Sequence, residues 1–105
     1  MKIISLNTNG VSNFQKFKRI LTKLAPLSPD IILLQEIFNY NITPNRLKFL
    51  TQMWSSIWKG DIHATPFVAI LVAPHIKSNL SFESTDHRII DITIAPPHAP
   101  ITEHL

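Results

Sequence analysis

The sequence predicts a small α/β domain that opens with a strand–helix–strand (βαβ) unit. Three observations carry this expectation. Lys2 to Thr8 is rich in Ile and alternates weakly, as a strand does. Phe14 to Leu24 repeats its apolar residues at the three-and-four spacing of an amphipathic helix. Ile31-Ile32-Leu33-Leu34 is an unbroken run of branched residues, the pattern of a strand covered on both faces. The stretch from Asn9 to Pro29 is long enough to carry the chain back for parallel pairing, in a right-handed crossover.

Each element has a local reason. Asn9-Gly10 signals a turn after the first strand. Ser12 and Gln15 stand at capping-box spacing before the helix. Phe14, Phe17, Ile20, Leu21 and Leu24 share one arc of that helix, and Gln15, Lys16, Lys18, Arg19, Thr22 and Lys23 the other. Pro26 stops it, and Pro29 predicts an extended Ser28. Thr43-Pro44 reads as an N-cap with Pro at the first helical position, and the helix should run to about Gln52. Met53 to Lys59 is aromatic and partly alternating, which predicts a strand ended by Gly60-Asp61. Phe67 to Ala73 reads as a buried strand, residues 75–80 as a loop and Ser81 to Ser84 as a brief strand. Arg88 to Ala95 alternates, with Ile90, Ile92 and Ile94 on one face. Pro96 to Pro100 is a rigid turn, after which Ile101-Thr102 should begin the hairpin partner of 88–95.

Composition narrows the function classes. The 105 residues are 45% hydrophobic with mean hydropathy +0.12, the balance of one folded domain rather than a disordered chain. The absence of Cys excludes a disulfide-stapled module, a Cys-ligated zinc site and a thiol nucleophile. The longest apolar run, Phe67 to Ala73, is far short of the ~20 residues that span a bilayer. The N-terminus lacks the apolar core of a signal peptide. An intracellular place, cytoplasmic or nuclear, with no membrane partner is therefore expected. With two Gly in the chain, no G-x-x-x-x-G-K, G-x-G-x-x-G or G-x-S-x-G motif occurs. His63, His75, His87, His98 and His104 lack zinc-ligand spacing and read as surface imidazoles. Charge is uneven: residues 1–52 hold seven Lys/Arg against two Asp/Glu, and residues 53–105 hold three against five. The basic half can face a polyanion such as nucleic acid, or it is simply a solvated helix face. No aromatic residues interleave with the cations of the first helix.

Candidate chemistry sits where the first two strands end. In a parallel pair both end on one edge of the sheet, the edge where open α/β sheets bind ligands. Asn7 ends the first strand and Glu36 the second. A carboxylate there suits Mg²⁺ or Mn²⁺, and a neighbouring amide can orient a phosphate or a water. The plainer alternative is a solvated Glu36 with Asn7 and Asn9 as turn residues before Gly10.

Two motifs add a resemblance. Lys2-Ile3-Ile4-Ser5-Leu6-Asn7-Thr8-Asn9-Gly10 resembles the opening of the endonuclease/exonuclease/phosphatase superfamily, K-I-x-[ST]-W-N-[VI]-N-G. Ser28-Pro29-Asp30-Ile31-Ile32-Leu33-Leu34-Gln35-Glu36 resembles its second motif, k-P-D-I-[ILV]-x-L-Q-E. Val68-Ala69-Ile70-Leu71 and Arg88-Ile89-Ile90 are similar to its G-V-A-I-L and R-x-I strands. The pattern is most similar to apurinic endonucleases and the endonuclease domains of LINE-type retroelements. The resemblance implies the N-terminal half of a four-layer α/β/β/α sandwich. It also implies divalent-metal-dependent hydrolysis of a phosphoester, DNA above all, with Mg²⁺ or Mn²⁺ as cofactor. Glu36 is then the main metal ligand, and Asn7 is a catalytic residue of the shared phosphate and metal site.

The departures shape the expectation. Leu6 replaces an aromatic, and Pro66-Phe67 replaces the glycines before the V-A-I-L strand. The family's Tyr, D-x-N, later Asp and S-D-H motifs belong to its second half, with His98-Ala99-Pro100 as a degenerate Y-x-P in an alternative alignment. The chain is therefore expected to be catalytically incomplete. Half a sandwich should also leave 67–73 or 89–94 partly uncovered. The alternatives are a non-catalytic retroelement or gene remnant, and a small nucleic-acid-binding module using Lys16, Arg19 and Lys23.

Overall fold

The computed structural model describes residues 2–11, 13–38, 42–79, 81–86, 89–93 and 101–104, with side chains to residue 76. The elements are β1 (Lys2–Asn7), α1 (Phe14–Leu24), β2 (Ile31–Gln35), α2 (Pro44–Trp54), β3 (Asp61–Ala64), β4 (Val68–Val72), β5 (Ser81–Asp86), β6 (Ile89–Thr93) and β7 (Ile101–His104). They form a small α+β domain. Four strands make a mixed sheet in the order β3-β4-β2-β1, and β7 extends it beside β1. β1 runs parallel to β2, with Ile4 opposite Ile32 and Asn7 opposite Gln35. β4 runs antiparallel to both β2 and β3. β5 and β6 form a separate hairpin, and β6 lies against β4.

Strand alternation divides the core in two. Ile4, Ile32, Leu34, Ala69 and Leu71 join Phe17, Leu24, Leu50 and Trp54 of the helices in the larger cluster. Ile31, Ile70 and Val72 form the smaller one, with Ile3, Leu33 and Ile76 packed against it. Both faces of the central strands are thus apolar, which is why 31–34 shows no alternation in sequence. Of the stretch 67–73 expected to be partly uncovered, Phe67 and Val68 are half-exposed and Ala69 to Ala73 are buried. The side chains of 89–94 lie outside the described residues.

The helix caps follow local chemistry, with corrections. α1 is capped by Asn13, whose side chain accepts the Gln15 N–H at 2.7 Å. The expected cap, Ser12, lies outside the described residues. Ser28 is not extended: its φ of 50° is left-handed, and its N–H closes a 3₁₀ turn on the Ala25 carbonyl at 3.1 Å. Turn closure outweighs the extended bias imposed by Pro29. Thr43 caps α2 as predicted, accepting the Arg46 N–H at 3.2 Å with Pro44 in the first turn.

The strand predicted over 53–59 does not form. α2 continues to Trp54, and the Ser55 and Ser56 hydroxyls donate to the carbonyls of Gln52 and Met53, each at 2.6 Å. Those bonds hold the chain in a turn where a strand would need extended backbone. Gly60-Asp61 leads into β3 instead of ending a strand. At the following turn, Pro66-Phe67 joins β3 to β4 through Thr65. The Thr65 hydroxyl accepts the N–H groups of Phe67 and Val68, both at 3.2 Å, so the strand entry needs no glycine. The partner of β6 is β5, not the strand after the proline turn; β7 pairs parallel with β1. That pairing covers an edge of β1 that would otherwise present bare N–H and C=O groups.

At the amino edge of the sheet Asp30 acts as a clamp. One carboxylate oxygen accepts the Lys2 N–H at 2.6 Å, and the other lies 2.7 Å from His75 Nε2. An ionised carboxylate can only accept, so the imidazole donates. Partial burial alone would raise the Asp30 pKa; the Lys2 N–H and the His75 bond and charge outweigh it and hold the carboxyl below its ordinary value. A depressed folded pKa adds stability above the unfolded value of about 3.9, and that stability is lost as pH falls through the folded pKa. Asp30→Asn should therefore lower the melting temperature at pH 7. The gap to the parent should close as the pH is taken below about 4, which paired thermal melts across that range will measure.

Candidate functional site

The carboxyl ends of β1 and β2 do not splay apart. The ladder continues past Asn7 and Gln35 into both loops. Thr8 N–H donates to the Gln35 carbonyl at 2.9 Å, Gly10 N–H to Glu36 at 2.7 Å and Val11 N–H to Ile37 at 2.6 Å. The buried Thr8 hydroxyl is shared between the Gln35 and Glu36 carbonyls, at 2.9 and 3.1 Å. The Ile37 N–H in turn donates to the Phe67 carbonyl at 3.1 Å, which stitches in the β3–β4 turn. Three loops are thereby fixed to one another at this edge.

The bends that permit this are left-handed. Asn9 has φ 53° and Gly10 has φ 99°, conformations that Asn and Gly accept at small cost. Glu36 has φ 54°, which costs a glutamate about 1–2 kcal/mol. Its bend turns the Glu36 carbonyl toward Thr8 and Gly10 while its side chain stays in solvent.

Asn7 and Glu36, the two residues singled out from sequence, stand at the ends of neighbouring strands, and both are exposed. The Asn7 Oδ1 accepts the Asn9 N–H at 3.0 Å, the Asx turn of the plainer reading. Neither the Asn7 Nδ2 nor the Glu36 carboxylate has a partner among the described residues. Lys16 reaches back from α1 with its Nζ 3.4 Å from the Asn9 carbonyl, which sets a cation beside the same edge.

For Mg²⁺ or Mn²⁺ the donor set is sparse but of the right kind. Both ions prefer hard oxygen ligands, and Mg²⁺ commonly takes one or two carboxylates while keeping several waters and substrate oxygens. Glu36 supplies one carboxylate and Asn7 one amide. Among the described residues no three His, Cys, Asp or Glu side chains gather, so a closed protein cage is not offered. His75 is taken up by Asp30 at the opposite edge, and His63 lies half-buried on β3. No helix of the described residues is long and apolar enough to cross a membrane.

Sequence reasoning missed Thr8, Lys16 and Thr65 as organisers of this edge. Thr8 and Thr65 each neighbour a turn signal, Asn9-Gly10 and Pro66, and that proximity was the available clue. No protein-family model matches the chain, and no curated protein or solved structure shows significant similarity to it.

Proposed function

We propose that this chain carries the metal-binding part of a divalent-metal-dependent phosphodiester hydrolase of the endonuclease/exonuclease/phosphatase type. In this reading its sheet belongs to a four-layer α/β/β/α sandwich, and nucleic acid is the substrate class. The observation that carries the reading is Glu36. It holds a strained left-handed conformation at the carboxyl end of a central strand, and among the described residues neither its carboxylate nor the Nδ2 of Asn7, on the neighbouring strand end, has a partner. A glycine would meet the same backbone demand without strain, so the carboxylate is the feature that a structural account leaves over.

In this role Glu36 would hold Mg²⁺ or Mn²⁺, and the Asn7 Nδ2 would donate to a phosphate oxygen. The ion supplies Lewis-acid polarisation of the phosphoryl group when bound. Lys16 adds positive charge where the phosphate's negative charge concentrates. A general base and a second charge clamp are missing from this edge among the described residues, so the site binds metal more readily than it turns over substrate.

Mn²⁺-induced broadening of amide signals tests this directly. Broadening should centre on residues 7–10 and 35–37 and be lost in Glu36→Gln, with the melting temperature unchanged because the side chain is exposed. Plasmid nicking in Mg²⁺ or Mn²⁺ should be undetectable. Broadening that ignores Glu36→Gln would overturn the site, and nicking abolished by Glu36→Ala would overturn its catalytic incompleteness.

A further inference from the structure

α1 and α2 lie side by side in one layer, joined where the Phe17 ring stacks on Trp54. Their outer surfaces carry Lys18, Arg19, Lys23, Arg46 and Lys48, all exposed. Neither helix contains an acidic residue. Among the described residues none of these cations is in an ion pair. The two acids that fall between residues 2 and 60 stand elsewhere, Asp30 clamped at the amino edge of the sheet and Glu36 at the carboxyl edge. A solvated helix face ordinarily interleaves both signs of charge, and this one has a single sign.

An aromatic ring stands in the same surface. Phe49 is half exposed, the most open large apolar side chain among the described residues, and the Arg46 guanidinium lies 5.3 Å from its ring centroid. The first helix turns Phe14 and Phe17 toward the core; the second supplies an exposed ring. Cations for the backbone and an open ring for a base are the two components of a single-strand binding surface. A duplex keeps its bases stacked internally and would leave Phe49 without a partner.

We infer that the α1–α2 outer layer binds single-stranded nucleic acid, with Lys18, Arg19 and Lys48 on phosphates and Phe49 stacked on a base beside Arg46. This surface is distinct from the Asn7–Glu36 edge and does not depend on metal there.

The test is fluorescence anisotropy of a labelled single-stranded oligo-dT in EDTA, which removes any metal contribution. With about three phosphates neutralised, affinity should fall roughly 20-fold between about 50 and 200 mM salt. The triple variant Lys18→Gln/Arg19→Gln/Lys48→Gln should flatten that salt dependence. Phe49→Ala should weaken binding about tenfold. Phe49→Trp should restore binding, and the new indole should be quenched by the oligonucleotide. Circular dichroism of each variant separates loss of fold from loss of contact. Absence of binding at low salt, equal affinity for duplex with no effect of Phe49→Ala, or binding only to anionic vesicles would each overturn the inference.

Discussion

Gly60→Ala should destabilise the domain by about 2–4 kcal/mol, as overpacking against an immovable neighbour does. A Cβ at position 60 would lie 1.7 Å from the Val72 carbonyl oxygen, with Val72 C at 2.8 Å and Ala73 C at 3.0 Å. All three atoms are backbone, so no side chain can swing aside. The Val72 carbonyl also accepts the Trp58 Nε1–H at 3.1 Å. Moving it away from a new methyl group breaks that bond, and moving Gly60 instead pulls Asp61 out of register with Val72 at the start of β3. Either response disturbs the end of β4, whose Val72 is fully buried. For a domain of this size the melting temperature should drop by roughly 10–20 °C. Trp58→Phe, which removes the indole donor together with some ring area, should cost about 1–2 kcal/mol. The two changes act on one carbonyl, so their combination should cost less than the sum. A Gly60→Ala melt within a few degrees of the parent would show that the β3 entry moves freely.

That glycine illustrates where sequence reading reaches and where it stops. Gly60-Asp61 is legible as a break, because glycine signals its own backbone freedom. Its necessity lies in a carbonyl that approaches from a strand twelve residues later, which no local pattern encodes. The same divide runs through the rest of the fold. Thr43-Pro44 is readable because cap and helix are neighbours in sequence. Pairing of β1 with β2 follows from two apolar runs and the stretch between them. The partner of β6 is not readable, since several strands could satisfy the same alternating face, and proximity in the chain gave it to β5. At the candidate site, the adjacency of Asn7 and Glu36 is a consequence of parallel strand ends and could be anticipated. The left-handed Glu36, and the Thr8 hydroxyl that grips both carbonyls beside it, are properties of the closed loops and were not.

Trp54 is the residue for which tertiary contact most plainly overrode local pattern, and Trp54→Ala should therefore have the largest effect of any single truncation. In sequence it belongs to Met53-Trp54-Ser55-Ser56-Ile57-Trp58, whose alternation suggests a strand. In the fold it is the last residue of α2 and only 1% exposed. Its ring lies parallel to Phe17 of α1, 4.4 Å between centroids and 4° between planes, and 6.4 Å from Phe38 in the segment after β2. One indole thus joins three parts of the chain over the larger core. Burying a surface of that size drives the helix to extend through Trp54, and the Ser55 and Ser56 hydroxyls then terminate it. Truncation to Ala should cost about 3–5 kcal/mol, the transfer term plus the cavity left behind. Small domains have about 5–15 kcal/mol in all, so a substantial unfolded population is expected near 37 °C. Trp54→Phe should be far milder, because one stacked face survives. A cycle pairing Trp54→Phe with Phe17→Leu should show about 0.5–1.5 kcal/mol of coupling beyond the separate losses. Trp58 remains as the fluorescent reporter in every variant. Should urea melts place Trp54→Ala within about 1 kcal/mol of the parent, the stack is not what fastens the two helices together, and the aliphatic residues Leu24, Ile37 and Leu50 must carry that core without it.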